Sequence, residues 1–423
     1  MKNRLTPEAV TSAALGGMLS VFPLFCFPYR QMVLSKYIIL WVLAGGYVLA
    51  MVPALLRSRD RGRRDPAVPA LVGGYLLLTL VSGLRSPYNY NFLIGLSRRE
   101  GLLTQVLYGL LCLGMARYGR LRPWHLRLFG GTMLVFCGIC LLQFLGRNPL
   151  WLYPQGLTWQ DAGVRYSGAY LGTTGNADLT AALLSLAAGV FWGMLLKGKR
   201  KGDLLWLLPF LSCAGVLWYS GVSAGRLSLL ALILVLTPLG LRLRGAKGWK
   251  WVLGAEALIC LLALGAVYAR DFGGTLGELH QVLHGHLEDS YGSHRVQIWR
   301  EVLERMPEHL LLGTGPDSMQ AWRLPGFSRY SPEAGTTIRR SIDAAHCEIL
   351  GVAAQQGLPA ALCFLALPAL GLVRFCRSRE KQALLPVLGG VLGYGVQGLF
   401  GISMCVAAPL WWVFLGLLLR VAG

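Results

Sequence analysis

The sequence predicts an all-α, polytopic integral membrane protein of about twelve transmembrane helices with a large helical extracytoplasmic loop. Three observations predict it. Hydrophobic residues make up 54% of the 423-residue chain and charged residues only 14%, against roughly a quarter charged in soluble domains. Apolar runs recur along nearly the whole length, and about 20 such residues suffice to cross a hydrocarbon core as a helix. Short basic clusters at 57–64, 117–127, 197–201, 242–250 and 374–381 separate alternate pairs of runs, which is the positive-inside pattern. The net charge of +20 is therefore a topology signal rather than a nucleic-acid patch. The bilayer is an expected partner and nucleic acid is not.

The expected spans are 9–27, 36–56, 67–84, 101–116, 128–145, 176–196, 204–221, 223–240, 251–269, 347–373, 383–401 and 403–420. With both termini cytoplasmic, all five basic clusters fall on the cytoplasmic side. Lys2 and Arg4 precede the first span and no small-residue cleavage site follows it, so it reads as a retained helix. The chain then divides into nine N-terminal transmembrane helices over 1–269, an extracytoplasmic loop over 270–345, and a histidine-bearing helix with the C-terminal transmembrane helices over 346–423. The ten cysteines lie almost entirely in apolar runs. Cys137 and Cys140 form a C-x-x-C in mid-helix, where buried small hydrophobes are expected rather than a redox or metal pair.

The outer face differs from the inner one. Away from the cytoplasmic clusters and the N-terminus, Lys36 is the only lysine and the other basic residues are arginine. A planar guanidinium fork suits bidentate contacts to phosphate, so an anionic ligand is one reading and interfacial snorkelling is the other. Residues 146–175 carry Trp151, Tyr153, Trp159, Tyr166 and Tyr170, as an interfacial or sugar-facing loop would. Residues 270–345 exceed the usual connection length, and such loops are usually functional. Within them, 293–310 reads as an amphipathic helix. Val296, Trp299, Leu303, Met306 and Leu310 take one face, and Arg300, Glu301, Glu304, Arg305 and Glu308 the other. The pairs Arg300–Glu304 and Glu301–Arg305 stand four apart and support it. Arg295 lies in its first turn beside the apolar stripe, either as a phosphate ligand at a helix N-terminus or as a boundary salt bridge.

Arg226 stands a few residues into the eighth span, near its outer end. Arginine costs about 2.5–3.5 kcal/mol at the centre of a membrane helix and less near an interface, and intramembrane ionisable residues usually face a cavity or a partner. His346 approaches the same outer face at the start of the tenth span, where a neutral imidazole can accept a proton. Pro359 is expected to break that span after Gly357, leaving a short half-helix to present His346. The "HQVLHGH" run places His280 and His284 four apart but has no H-E-x-x-H, and no metal site is expected. "GTGPDSM" lacks the lysine of a phosphate loop and reads as a turn.

Taken in order, "RYSGAYLGTTGNADLTAALL", "SAGRLSLLALIL", "SHRVQIWREVLERMPEHLLLGTGPDSM" and "AHCEILGVAAQQGLPAAL" resemble the bacterial O-antigen ligase and O-antigen polymerase family of membrane glycosyltransferases, over about 165–365. "SRREGLLTQVLYGLL" near Ser97 resembles a weaker N-terminal element of it. The resemblance implies transfer of a glycan from an undecaprenyl-pyrophosphate carrier to an acceptor glycan or glycolipid at the outer face of the cytoplasmic membrane, with no nucleotide sugar, metal or cofactor. It matches Arg226 and Arg295 to pyrophosphate-binding arginines and His346 to the histidine at the reaction centre, acting as base or as charged pyrophosphate ligand. Arg165, Asn176 and Arg98 fall in the matching segments as further substrate-binding residues. The chain departs from the family pattern at Cys347, Gly225, Gln355, Gln356 and 176–178. Ligase and polymerase both remain open. The alternative from another class is a transporter or flippase of lipid-linked glycans. Such proteins tend to show repeated halves and midplane sites, whereas these halves look unlike and the notable residues gather at one face.

Overall fold

The computed structural model describes residues 6–29, 31–58, 65–161, 164–198, 200–331, 335–402 and 404–420. Helices α1 (Pro7–Leu24), α2 (Met32–Leu40), α3 (Gly46–Arg57), α4 (Ala67–Arg85), α5 (Leu102–Tyr118) and α6 (Pro123–Phe144) come first. An antiparallel hairpin follows, β1 (Thr158–Asp161) with β2 (Val164–Ser167). Next come α7 (Ala177–Lys197), α8 (Leu207–Tyr219), α9 (Ser223–Leu243) and α10 (Trp249–Ala269). The long loop holds α11 (Gly274–Leu283), α12 (Tyr291–Arg305) and a second hairpin, β3 (Phe327–Ser331) with β4 (Thr336–Arg340). The chain closes with α13 (Glu348–Gln356), α14 (Leu358–Arg377), α15 (Lys381–Gly398) and α16 (Ala408–Leu418).

Among the described residues, 8 helical segments are long and apolar enough to cross a membrane, one of them being α2 and α3 run together as Met32–Arg57. Helices α5 and α16 are shorter apolar helices. The architecture is that of an all-α polytopic membrane protein, and each expected span overlaps a helix. The two hairpins were not expected. The long loop is thus a mixed element, helical in its first half and closed by β3 and β4 before His346.

Helix α7 forms the centre of the bundle and is buried on nearly every side. It packs closely on α15 because both present glycines where they cross. A Cβ on Gly189 would overlap the Gly389 carbonyl, and one on Gly393 would overlap the Ser185 carbonyl. Small residues that let backbones approach are how membrane helices gain dispersion contact where apolar lipid supplies little hydrophobic drive. The Ser228 hydroxyl of α9 donates to the Gly393 carbonyl at 2.7 Å and draws a third helix to the same crossing. Beside it, Trp412 of α16 meets Tyr75 of α4 at 5.9 Å, Phe364 of α14 at 5.9 Å and Tyr108 of α5 at 6.1 Å between ring centres.

The long loop docks onto this bundle along two seams. At the first, the expected break occurs at Gly357. This residue has φ +90° and separates α13 from α14, whose first turn carries Pro359. The Leu358 N–H donates to the Leu310 carbonyl at 2.9 Å, and the N–H groups of Thr314 and Gly315 donate to the Gln355 carbonyl at 3.0 and 2.7 Å. The loop therefore satisfies backbone groups that the helix break exposes. A side chain on Gly357 would collide with the Leu311 carbonyl as well as resist that φ.

At the second seam, the turn of "GTGPDSM" becomes a clamp. The Asp317 carboxylate accepts from the backbone N–H of Arg98 at 2.8 Å and of Ser97 at 3.1 Å, and from the Ser97 hydroxyl at 3.3 Å. Burial pushes its pKa up, opposed by those same N–H groups and by the Arg98 charge. Asp317→Ala would remove two part-buried backbone hydrogen bonds to a carboxylate, at about 1.5–3 kcal/mol for each hydrogen bond to a charged group. The thermal unfolding midpoint in detergent, followed by tryptophan fluorescence, is expected to drop by several degrees. An unchanged midpoint would show that the clamp holds nothing together.

The amphipathic helix lies one position away from its expected register. Gly292, Ser293 and His294 have positive φ, so the regular turns of α12 start at Arg295. Its buried face is Ile298 and Val302, flanked by Trp299 and Met306, against Met319, Trp322 and Ile342. Leu303 is 49% exposed and Leu310 38%. Of the expected charge pairs, Arg300 reaches Glu304 at 3.9 Å but makes its close contacts with Asp289, at 2.5 and 2.7 Å.

Candidate active site

His346 sits immediately before α13, with Cys347 as the N-cap residue. Its φ is +48°, a left-handed conformation that costs a non-glycine residue of order 1–3 kcal/mol and persists only where the surroundings impose it. The constraint comes from α12. The Trp299 indole N–H donates to the Ala345 carbonyl at 2.9 Å, holding the peptide on the N-terminal side of the histidine. One turn earlier on the same face, Arg295 donates from Nε to the Phe400 carbonyl at 3.0 Å and from Nη1 to the Gly292 carbonyl at 2.7 Å. Residues four apart on a helix share a face. A single face of α12 thus positions both Arg295 and the histidine.

Both residues line a cavity of about 1100 Å³, walled by the start of α7, the start of α9, the β3–β4 hairpin and the 397–404 segment. Arg98, Asn176, Asp178, Arg340 and Asp343 share its wall. Burial depresses the His346 pKa to about 4, and the charges of Arg295 and Arg98, with a smaller part from Arg340, push the same way against Asp343. The imidazole is therefore neutral at physiological pH. Burial also lowers the Arg295 pKa, opposed by Asp178 and Glu278; the guanidinium remains a cation. A neutral acceptor beside a fixed cation, at one wall of a large cavity, is an arrangement that can take a proton while stabilising negative charge.

The other expected site residues are distributed unevenly. Arg98 reaches the site and donates from Nη2 to Asp343 at 2.8 Å. Asn176 caps α7, accepting from the Asp178 N–H at 2.7 Å. Arg98 and Asn176 also line a second cavity of about 620 Å³. The side chain of Arg165, on β2, lies outside the described residues. Arg226 does not line the large cavity. Its Nε donates to the Trp218 carbonyl at 2.8 Å and its guanidinium lies 5.5 Å from the Trp218 ring centre. The wall contributed by its helix end is Val222 and Ser223. Ala224, Gly225 and Ser228 take the buried side of α9, and this turns Arg226 towards the end of α8.

Sequence reasoning did not single out Arg340, Asp343, Arg339 or Arg323, all of which line the cavity. The available signal was the arginine richness of the outer face, which marked the surface without marking the residues. A smaller pocket of about 70 Å³ behind His346 is lined by Glu100 and Glu348 among others. There Tyr108 and Gln105 donate to the Glu100 carboxylate at 2.7 and 3.0 Å. The His280 and His284 rings lie 4.3 Å apart between centres and are tilted by 43°, and each has its Nδ1 within 2.8 Å of a backbone carbonyl. The described residues contain no group of three or more candidate metal ligands.

Residues 208–365 match the family model described as O-Antigen ligase. The match spans Arg226, Arg295, His346 and the whole of the long loop. No curated protein matches the chain.

Proposed function

With residues 208–365 assigned to the O-antigen ligase family, we propose that the protein transfers a glycan from an undecaprenyl-pyrophosphate carrier to an acceptor hydroxyl, at the outer face of the cytoplasmic membrane, in cell-surface polysaccharide assembly. The observation that carries this reading is that Arg295 and His346 share the wall of one large cavity beneath the 270–345 loop. In this reading all twelve expected spans cross the bilayer and both termini are cytoplasmic, so the cavity opens outwards. This places it where a lipid-borne pyrophosphate emerges.

The chemistry follows from the charges. The acceptor oxygen attacks the anomeric carbon, the bond from that carbon to the pyrophosphate oxygen breaks, and the acceptor proton passes to a ring nitrogen of His346. Positive charge develops on the sugar and negative charge on the departing pyrophosphate. Arg295, with Arg98 beside it, stabilises the latter in a site already organised for it. Two guanidinium groups serve here where a divalent cation serves elsewhere, so activity is expected to persist in excess EDTA. Arg226 acts as an additional pyrophosphate ligand after leaving Trp218 when the donor arrives. Asn176 and Arg165 meet the glycan from the 146–176 side.

The depressed His346 pKa makes binding and proton transfer cooperate. An arriving pyrophosphate offsets Arg295 and Arg98, which removes part of what depresses the imidazole and raises its proton affinity. The base works deprotonated, so acid inactivates it. For the free enzyme, kcat/KM is expected to stay flat from neutral pH and to fall only as pH drops through about 4. For the donor complex, kcat is expected to fall at a higher pH, nearer the ordinary value of about 6.5. A kcat/KM inflection already at the ordinary value would remove the depressed base from the mechanism.

The test of function is purified protein with an undecaprenyl-pyrophosphate oligosaccharide, alone and with candidate acceptors. A ladder of longer lipid-linked chains from the donor alone marks a polymerase. Release of the carrier pyrophosphate only when a separate acceptor is added marks a ligase. Movement of intact donor across a vesicle membrane without cleavage would replace the enzyme reading by the transporter one.

A further inference from the structure

The cavity is larger and more cationic than a pyrophosphate requires. Its volume of about 1100 Å³ lies just above the about 300–1,000 Å³ typical of small-molecule sites, leaving room for several sugar units beyond the reacting one. Five arginines line it, and the lining carboxylates are Asp178 and Asp343. The two carboxylates act on three of these arginines: Asp343 pairs with Arg98 at 2.8 Å and acts on Arg340, and Asp178 acts on Arg295. Arg323 and Arg339 complete the arginine wall, with Arg340 next to Arg339 in the chain and within electrostatic reach of His346. Arg323 lies in the turn before β3, with φ +51°, and Arg339 and Arg340 end β4. Arg323 and Arg339 make no ion pair among the described residues.

Neutral sugars are commonly gripped by aromatic faces, because the apolar face of the ring packs on them. This wall carries little of that kind. Phe327 is the one Phe, Tyr or Trp among the described lining residues, and its ring is stacked on His294 at 4.2 Å between centres. Arginine forks instead match carboxylates in bidentate geometry. We propose that the Arg323–Arg339–Arg340 wall is a subsite for an acidic glycan, one bearing uronic-acid-type carboxylates on sugars beyond the reacting residue. The proposal rests on the glycan-transfer reading, with the pyrophosphate in the deep part by Arg295 and the glycan running out past β4.

Three probes separate the two ideas: trigalacturonic acid, its neutral counterpart galactotriose, and inorganic pyrophosphate. Each is titrated into the full-length protein in phosphatidylcholine nanodiscs. Trigalacturonic acid is expected to bind at least about tenfold more tightly than galactotriose, with the advantage shrinking as salt rises. The double variant Arg323→Gln/Arg339→Gln is expected to lose about tenfold for trigalacturonic acid and to keep its pyrophosphate affinity. Both residues are exposed, so folding is expected to survive, and an unchanged unfolding midpoint checks it. The variant Arg323→Lys/Arg339→Lys retains charge and should recover part of the loss. Equal binding of the two trisaccharides overturns the proposal. So does a variant that weakens pyrophosphate as much as the uronide, which would make these arginines part of the pyrophosphate site. Loss of the uronide preference in nanodiscs containing phosphatidylglycerol would likewise overturn it, by assigning the arginines to lipid headgroups. Pyrophosphate binding that is indifferent to Arg295→Ala would instead sink the donor site and leave the acidic subsite standing.

Discussion

Replacing His346 with glutamine is expected to lower turnover by about 10²–10⁴-fold, the usual worth of a positioned general base, while donor affinity stays close to that of the native protein. Glutamine keeps a polar side chain of similar reach but accepts no proton at working pH. The native imidazole is neutral, held to about 4 by burial and by Arg295 and Arg98, so its removal takes away no charge that donor binding uses. A loss in kcat with KM unchanged identifies an interaction made only in the transition state. If donor affinity collapsed with turnover, His346 would instead be a pyrophosphate ligand that becomes protonated on binding. Full turnover in the variant would leave His346 outside the chemistry altogether. The left-handed φ of +48° at this position is a reason to choose glutamine over a β-branched residue, which tolerates that conformation least.

Arg295→Ala is expected to reduce both donor affinity and turnover, with about 10²–10³-fold in kcat, as for loss of a preorganised donor to a developing negative charge. Arg295→Lys is expected to recover only a minor part. The native guanidinium donates to the Phe400 carbonyl and the Gly292 carbonyl while still facing the cavity, and a single ammonium cannot reproduce that fork. A lysine variant with native activity would show that charge alone matters there. Arg226→Ala provides the internal comparison. Because Arg226 rests on Trp218 rather than in the cavity wall, its removal is expected to cost less than that of Arg295, chiefly in donor affinity. Losses equal to those of Arg295→Ala would mean that giving up the Trp218 contact costs Arg226 almost nothing as a pyrophosphate ligand.

The parts legible in the sequence were those written locally. Apolar runs and the alternation of basic clusters mark helices that a bilayer solvent requires to satisfy their own backbone groups, and every expected span overlaps one. Gly357 and Pro359 announced the break between α13 and α14, because each acts on the backbone at its own position. His346 and Arg295 stood out as polar residues at the edges of apolar segments, and the fold brings both to one cavity.

The parts not legible depended on partners far away in the chain. Asp317 reads as a turn residue until its carboxylate meets the backbone of Arg98, 219 positions earlier. The face that α12 buries was decided by Met319, Trp322 and Ile342, so Leu303 was left exposed where its own helix pattern placed it inside. The same holds for Arg226, whose direction follows from how α9 seats Gly225 and Ser228 against its neighbours. By itself the sequence determined where this chain is helical, which segments are apolar enough to enter a bilayer and which residues are chemically out of place. Only the tertiary structure decided which of those residues meet. A helix's periodicity sets the spacing of its faces, but its rotation about its own axis is set by what packs against it.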